Sequence, residues 1–198
     1  MVGEVIDVGS VERLVQKLLG HIDNLKHVKN KAACFDVDET LLFWNAEDSD
    51  AFAVHPLIKP LYDALATKDY KLFIITARPK TERGIRYVAR QMMSLGYDMK
   101  VVPTSGVYMQ PKDFYEAGAT GEFKLAARKH ITQKYGVKVV LMVGDQFTDL
   151  FHNSFEGFQE ISNKSRRFDR EKLDSVGILV ANPDEHTALG LKLPSVHH

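Results

Sequence analysis

Residues 32–40 read AACFDVDET, so four apolar residues lead directly into two aspartates that a single residue separates. A short run that is apolar at every position predicts a strand covered on both faces, as in a parallel sheet between helices. In an extended strand residues two apart share a face, so we expect the carboxylates of Asp36 and Asp38 to point into one pocket at the strand end. The alternative interpretation is an ordinary turn that contains two acids.

Outward from this stretch, apolar runs alternate with segments of helical spacing. Strands are predicted at residues 32–37, 70–75, 99–103, 137–143 and 177–181, and helices at residues 10–27, 56–68, 80–95 and 121–135. This alternation predicts an α/β fold: a doubly wound, Rossmann-like parallel sheet flanked by helices, with no large cap domain. We expect residues 1–198 to form a single domain, with residues 1–30 as an N-terminal helical segment packed on it. Sheets of this kind carry their sites at the carboxyl ends of the strands.

The composition argues against several classes of protein. Lys plus Arg and Asp plus Glu both number 26, so the zero net charge gives no overall attraction to nucleic acid or to an anionic membrane. Cys34 is the only cysteine, so an internal disulfide is excluded and the thiol is expected to be a small buried hydrophobe. No apolar run reaches membrane-spanning length, and acids interrupt the N-terminal residues where a secretion signal would be apolar. We therefore predict a cytoplasmic protein with no membrane partner.

A second polar cluster follows the second predicted strand. Residues 72–79 read LFIITARP, which puts Thr76 at the strand end. The Thr76 hydroxyl and the nearby backbone N–H groups, including that of Ala77, are candidates for binding a phosphate oxygen. Pro79 suits the first turn of the next helix, whose positive end favours anions. Capping that helix is the other role open to Thr76, and Arg78 could bind phosphate, cap the helix or form a surface ion pair.

The remaining candidates lie further along the chain. Lys124, near the start of the helix predicted at 121–135, either lies on the surface or holds a phosphate and neutralises the nucleophile. Residues 143–149 read VGDQFTD, so a buried strand again ends in acids. Asp145 could ligate a divalent metal, with Asp149 as a ligand or a support, unless the segment is an ordinary Asx-type turn. Three further cations are expected on a solvated helix face: Arg128, Lys129 and Lys134.

Together these pieces suit the hydrolysis of a phosphate ester. The carboxylate of Asp36 can attack phosphorus and form an acyl phosphate, while Asp38 protonates the leaving oxygen and later deprotonates a water. Because Asp36 and the phosphate are both anions, a bound cation is needed to lower their repulsion. Magnesium suits a site of few carboxylates and a substrate phosphate, although these residue types do not separate it from manganese.

These motifs, in this order over about residues 32–150, resemble those of the haloacid dehalogenase superfamily of phosphatases. The resemblance implies that Asp36 is the nucleophile and Asp38 the acid/base, and that Thr76 and Lys124 bind the phosphate. An acid two residues after the nucleophile is the mark of the phosphatases and phosphotransferases of this superfamily. It argues against dehalogenase or phosphonatase chemistry.

Finer details are similar to the subfamily called IIIB, which includes class B and plant acid phosphatases. They are the DETLL of the first motif, the GDQ and TDL of the fourth, and the LKLP at residues 191–194. Phe147 departs from the subfamily, which usually carries Trp there. The metal ligands implied by the resemblance are Asp36, the backbone carbonyl of Asp38 and Asp145, with Asp149 in support.

The segments around the candidate site limit what can cover it. Residues 43–55 are long enough for a flap only, and residues 105–120 form a comparable loop, so we expect an open site unless another subunit of a homo-oligomer covers it. The expected substrates are phosphorylated small molecules or an exposed phosphate on a macromolecule. Trp44 either stacks on the substrate or packs at the base of the flap. Two alternatives share the fold: a phosphotransferase that uses the same site, and a non-catalytic binding or storage protein.

Overall fold

The computed structural model describes residues 4–24, 28–44, 52–151, 176–184 and 187–194. Its helices are α1 (Val11–Asn24), α2 (Ile58–Thr67), α3 (Gly84–Ser94), α4 (Lys112–Glu116), α5 (Thr120–Tyr135) and α6 (Phe147–Leu150). Its strands are β1 (Glu4–Gly9), β2 (Lys31–Phe35), β3 (Leu42–Trp44), β4 (Phe52–Val54), β5 (Lys71–Pro79), β6 (Val107–Gln110), β7 (Lys138–Gly144), β8 (Gly177–Asp184) and β9 (Thr187–Lys192). A short 3₁₀ helix, Met99–Val101, lies between α3 and β6.

Seven of the described strands form one sheet, in the order β1-β8-β9-β7-β2-β5-β6. β2 lies inside this sheet, with β5 and β7 paired to it in parallel on either side. Within these seven, β8 alone runs against its neighbours β1 and β9, so the other strands share one direction. The predicted Rossmann-like α/β fold is therefore confirmed, although the strand predicted at residues 177–181 joins the sheet antiparallel.

Helices cover both faces of the sheet, and consecutive residues of each strand point to opposite faces. In β2, Ala33 and Phe35 pack into a core with α1, α2 and α3, whereas Ala32 and Cys34 pack into a second core with α5. Cys34 is fully buried, as expected of a small hydrophobe. Across the described ranges, no helix has both the length and the apolar character needed to cross a membrane.

The strand predicted at residues 99–103 is wrong, because Met99–Val101 form a 3₁₀ helix and β6 follows only later. Asp98 begins this helix by accepting a backbone hydrogen bond at 2.9 Å. The Gly106 amide then donates to the Pro103 carbonyl at 2.7 Å, which turns the chain back toward the sheet. A short apolar run does not distinguish a strand from a tight helical turn, and here the local cap and turn decide the outcome.

The N-terminal segment, predicted as helical over residues 1–30, also contains a strand. β1 pairs antiparallel with β8 and extends the sheet by one strand. It begins with Glu4, and Asp7 interrupts its apolar residues, so it lacks the continuous run that marks the inner strands. Helix α1 ends at Asn24, and residues 25–27 of the predicted helix lie outside the described residues. That residues 1–198 form a single domain stays a prediction.

The segment after the first motif forms a two-stranded hairpin, β3 and β4, which is separate from the main sheet. Residues 45–51 of the predicted flap lie outside the described residues. Residues 105–120, predicted as a loop, contain β6 and α4 instead. Within the described parts of these two segments there is no large cap, in agreement with the prediction.

Candidate active site

Three neighbouring strands of the sheet carry the candidate site where they end. Asp36 directly follows β2, Thr76 lies in β5, and Asp145 directly follows β7. The Asp36 amide donates to the carbonyl of Val143 in β7 at 2.9 Å, which joins two of these strand ends. Because β5 and β7 flank β2 in parallel, their carboxyl ends meet at one edge of the sheet. The structure thus brings together acids that are far apart in the sequence.

Lys124 contacts Asp36 and a further acid, Asp149. Its ammonium group donates to Asp36 Oδ1 at 2.8 Å and to Asp149 Oδ1, and only 2% of the Lys124 side chain is exposed. Lysine is almost never so buried unless it is paired, so the two carboxylates account for its position and the surface interpretation is wrong. Burial disfavours the charged form, but the charges of Asp149 and Asp36 outweigh it and raise the pKa of Lys124.

Arg128 lies one helical turn after Lys124 on the buried side of α5. Its side chain is fully buried, and its Nη1 donates to the backbone carbonyl of Asp149 at 2.9 Å. The prediction of a solvated face is therefore wrong for Arg128, whereas Lys129 and Lys134 are exposed as expected. Because residues i and i+4 share a helix face, assigning Lys124 to the active site also predicts that Arg128 points inward.

Asp149 is held at the site by the short helix α6. Its Oδ2 accepts a hydrogen bond from the Gln146 amide at 2.8 Å, and its side chain is fully buried. Gly144 makes room for this side chain, because a Cβ at that position would overlap the Asp149 carboxylate. With one oxygen bonded to Lys124 and the other to the backbone, Asp149 suits a supporting role better than direct ligation of a metal.

Asp36, Asp145 and Asp149 form a buried cluster in which one carboxylate oxygen of each lies within 4.8 Å of the others. Burial raises the pKa of Asp36 well above its ordinary value, and the charges of the other two acids add to this, although Lys124 opposes it. Burial and the charge of Asp149 raise the pKa of Asp145 to about 7. Oxygen donors that repel one another in this way suit a hard divalent cation, so the residues present fit the metal that the sequence implies.

Asp38 does not join this cluster but pairs with Arg78. The guanidinium group donates from Nε to Asp38 Oδ2 at 2.8 Å and from Nη2 to Oδ1 at 2.6 Å, and the Asp38 side chain is 46% exposed. Asp38 lies beyond the end of β2, which ends at Phe35, and that its carboxylate shares one pocket with Asp36 stays a prediction. Beyond Phe35 the chain turns, with the amide of Leu41 bonded to the carbonyl of Val37. Of the roles open to Arg78, the structure selects the ion pair.

Arg78 is itself held by the elements around it. Its Nη1 donates to Gln91 Oε1 of α3 at 2.7 Å, and its guanidinium carbon lies 5.8 Å from the centre of the Phe52 ring in β4. Burial works against its charge, but the hydrogen bond and charge of Asp38 outweigh this and raise the pKa of Arg78. Because both oxygens of Asp38 are engaged by one planar fork, its orientation depends on this arginine.

Thr76 is buried, and its Oγ1 accepts a hydrogen bond from the Arg78 amide at 3.2 Å, while Ala77 is exposed beside it. The expectation that Pro79 opens the next helix is wrong. Pro79 still pairs with Gln110 as the last residue of β5, and α3 begins only at Gly84. Pairing with β6 therefore extends the strand past the apolar run, and no helix start lies directly behind Thr76.

Sequence reasoning gave Lys192 no role, although the structure buries it at the site's edge. Its ammonium group lies 4.8 Å from the centre of the Phe147 ring and donates to the Leu193 carbonyl at 3.0 Å. It pairs with Gly144 across β9 and β7, next to Asp145. Its place in the LKLP motif was the available signal.

Trp44 and His55 lie at either end of the flap segment that follows the first motif. His55 accepts a hydrogen bond from the Leu57 amide at 3.3 Å, and burial lowers the pKa of His55, so it has a structural role before α2. The side chain of Trp44 lies outside the described residues. The proposed stacking of Trp44 on the substrate therefore stays a prediction.

Comparison with known proteins gives one family. Residues 43–183 match the family described as HAD superfamily, subfamily IIIB (Acid phosphatase). The matched segment contains Thr76, Lys124, Asp145 and Asp149, and it begins after Asp36 and Asp38. No curated protein matches the chain. Since the match covers well over half of the sequence, and the acids of the first motif lie against the matched residues in space, the chain belongs to the subfamily IIIB acid phosphatases of the haloacid dehalogenase superfamily.

Proposed function

We propose that this protein is a magnesium-dependent phosphatase that hydrolyses phosphate monoesters through a phosphorylated Asp36. The observation that carries the proposal is a cluster of three buried carboxylates, two of which accept hydrogen bonds from the buried ammonium group of Lys124. Burying so much charge is costly, and a structural core would replace these groups with apolar ones. Such a cluster at the carboxyl ends of parallel strands is best explained by chemistry on an anionic substrate.

In the first step, a carboxylate oxygen of Asp36 attacks phosphorus as the bond from phosphorus to the ester oxygen breaks. Asp38 gives its proton to the leaving oxygen, which departs as an alcohol, and an acyl phosphate forms on Asp36. Lys124 contacts Asp36 Oδ1, so its charge partly neutralises the nucleophile as the phosphate approaches. The Thr76 hydroxyl and the Ala77 amide are the groups we assign to the phosphate oxygens.

In the second step, Asp38 is a carboxylate and takes a proton from a water that attacks the same phosphorus. The bond between phosphorus and Asp36 breaks, which releases inorganic phosphate and restores both carboxyl groups. Arg78 holds Asp38 through both of its oxygens, and so it positions the group that serves first as acid and then as base.

The metal would be held by Asp36, Asp145 and the backbone carbonyl of Asp38, with Asp149 as support. When bound, magnesium would offset the repulsion between Asp36 and the phosphate and stabilise charge on the transferring group. Lys124 and the Gln146 amide keep Asp149 in place beside this site. The raised pKa values of Asp36 and Asp145 support a cation at this position, because it would favour their charged forms.

The test is hydrolysis of p-nitrophenyl phosphate with magnesium by wild type and by Asp36→Asn. We expect the variant to lose activity by a factor on the order of 10³ or more, because an amide cannot act as the nucleophile. The matched control is Asp113→Asn, which removes an exposed carboxylate from α4 and should keep the wild-type rate.

Acid quenching during turnover should trap one phosphoryl group on the wild-type protein and none on Asp36→Asn. Chelation of divalent cations should abolish turnover, and added magnesium should restore it. Equal rates for wild type and Asp36→Asn would exclude the mechanism, and full activity in a chelator would exclude the metal.

A further inference from the structure

One exposed face of α3 forms a basic recess beside the active site, which we call the α3 recess. It has a volume of about 400 Å³ and is lined by Arg83, Arg86, Tyr87 and Arg90. These residues follow the spacing of one helix face, with Arg83 directly before the first turn. The opposite face of α3 carries Val88 and Met92 into the core, so the arginines are turned toward solvent.

The α3 recess is connected to the active site through Gln91. This residue lies one helical turn after Tyr87 and accepts a hydrogen bond from Arg78 at 2.7 Å. Arg78 in turn holds both oxygens of Asp38, the proposed acid/base. With a rise of about 1.5 Å per residue, Tyr87 lies about 6 Å and Arg83 about 12 Å from Gln91 along the helix axis. A substrate that extends past Arg78 toward the start of α3 would reach the recess within about one to two helical turns.

The recess concentrates positive charge in a chain whose net charge is zero. Residues 80–94 contain four basic residues and one acid, Glu82. Within the described ranges, none of the guanidinium groups of Arg83, Arg86 and Arg90 forms an ion pair. Three cations around one concavity that pair with no acid of the described ranges repel one another, and they favour an anionic ligand.

We propose that the α3 recess binds a second phosphate group of the substrate, so that this phosphatase prefers a multiply phosphorylated nucleotide. Planar guanidinium groups match phosphate oxygens in pairs, and three of them lie around the recess. The ring of Tyr87, which is 61% exposed, offers a face on which a nucleobase can stack. The proposal rests on the proposed function, since the first phosphate is the one bound at Asp36.

The test compares two ligands that differ by one phosphate: a nucleoside 5′-monophosphate and the matching nucleoside 3′,5′-bisphosphate. We expect kcat/KM of wild type to be about tenfold or more higher for the bisphosphate than for the monophosphate. Removal of the guanidinium groups should bring this ratio close to one. The variant is Arg83→Gln, Arg86→Gln and Arg90→Gln combined. Its matched control is Lys129→Gln, Lys134→Gln and Lys138→Gln combined, which removes the same charge from exposed positions elsewhere and should keep the preference.

A third substrate, a short oligonucleotide with a terminal phosphate, separates the two sources of the second phosphate. Preference for the oligonucleotide over the bisphosphate would assign the recess to a nucleic-acid backbone, and the reverse order would assign it to a free nucleotide. Tyr87→Ala should weaken the binding of both nucleotide ligands. No preference of wild type for the second phosphate, or an equal loss of preference in the lysine control, would overturn the proposal.

Binding measurements on Asp36→Asn separate failure of this inference from failure of the proposed function. Calorimetry with the two nucleotides reports the second-phosphate preference without any turnover. If wild type hydrolyses neither p-nitrophenyl phosphate nor the two nucleotides but Asp36→Asn still binds the bisphosphate more tightly, the proposed function fails and the recess remains a phosphate site. If hydrolysis proceeds and Asp36→Asn binds both ligands equally, the inference about the recess fails alone.

Discussion

At the scale of single residues, the site depends on how its buried charges offset one another. Lys124 contacts two of the three clustered acids, and its burial is tolerated because they accept its hydrogen bonds. Asp145 lies in the same cluster and accepts a hydrogen bond from Gln146 Nε2 at 2.5 Å. Burial and the charge of Asp149 raise the pKa of Asp145, so its ionisation should respond to the loss or gain of a metal.

Asp145→Asn should change how stability depends on pH in the metal-free protein. The pKa of Asp145 is raised to about 7 in the folded protein, against an ordinary value near 4, so its contribution to stability is complete below about pH 4 and is lost as the pH rises through about 7. Asn cannot ionise. In a chelator, the free energy of unfolding of the variant relative to wild type should rise by up to about 4 kcal/mol between pH 4 and pH 8.

Urea unfolding at both pH values measures this difference, and magnesium provides the control. At pH 8 the metal should stabilise wild type more than Asp145→Asn, because the variant lacks a charged ligand. Parallel pH profiles for the two metal-free proteins would contradict the assignment of the raised pKa to this residue.

At the scale of elements, the junction between β7 and α6 forms the floor of the site. The last residue of β7 is Gly144, and Asp149 folds back over it while its Oδ2 accepts from the Gln146 amide. The side chain of Gln146 and that of Asp149 cap one another's backbone across this four-residue helix. A reciprocal cap of this kind holds a very short helix that propensity alone would not stabilise.

Gly144→Ala should damage the site, because the added Cβ would occupy the place of the Asp149 carboxylate. We expect phosphatase activity to fall by a factor on the order of 10² or more as Asp149 is displaced from Lys124. The measurement is kcat/KM with magnesium, alongside the magnesium concentration that gives half-maximal activity, which should rise.

Gly20→Ala is the matched control for this substitution. It lies inside α1, and a Cβ there would meet no atom within 4 Å. Alanine in a helix interior should raise the free energy of unfolding by about 0.5–1 kcal/mol and leave activity unchanged. Full activity in Gly144→Ala would show that Asp149 does not need its observed position.

At the scale of the whole molecule, buried tyrosines join the active-site loop to the core. Tyr97, which follows α3, donates its hydroxyl to the carbonyl of Leu41 in the turn after the first motif, at 2.5 Å. Its ring lies 5.0 Å from that of Tyr62 in α2, whose hydroxyl donates to the Asp98 carbonyl at 3.0 Å. The turn that carries Asp38 is thereby anchored to helices on one face of the sheet.

Tyr97→Phe should lower stability at neutral pH and flatten its decline in alkali. Burial, with the charge of Asp63, raises the pKa of Tyr97 above its ordinary value near 10, so its stabilising effect is present below about pH 10 and is lost as the pH rises further. We expect the variant to be about 1 kcal/mol less stable at pH 7, because the hydrogen bond is lost. Relative to wild type it should recover part of that difference at pH 10.5.

Urea unfolding at the two pH values checks this, with Tyr115→Phe as the control. Tyr115 is exposed on α4, so its removal should leave stability at wild-type level under both conditions. A constant difference between Tyr97→Phe and wild type across this range would contradict the buried-phenol account.

Local patterns in the sequence determined the layered architecture and the candidate acids. Continuous apolar runs identified β2, β5 and β7, since strands covered on both faces leave little freedom of residue type. Asp36 and Asp145 directly follow two of these runs. They were identified as candidates because parallel sheets carry their sites at the carboxyl ends of the strands. The edge strand β1 has no continuous apolar run, and it was not predicted. The apolar residues before β6 were predicted as a strand but form a 3₁₀ helix.

Asp36 was identifiable as a candidate nucleophile from the nine residues around it, whereas its partners were decided only by the tertiary structure. The contacts of Lys124 with Asp36 and Asp149, and of Arg78 with Asp38 and Gln91, join residues far apart in the chain. Whether Arg128 is solvated or buried depended equally on what packs against α5. Periodicity reports which face of an element is covered, but the pairing of buried charges depends on distances that exist only once the elements have packed.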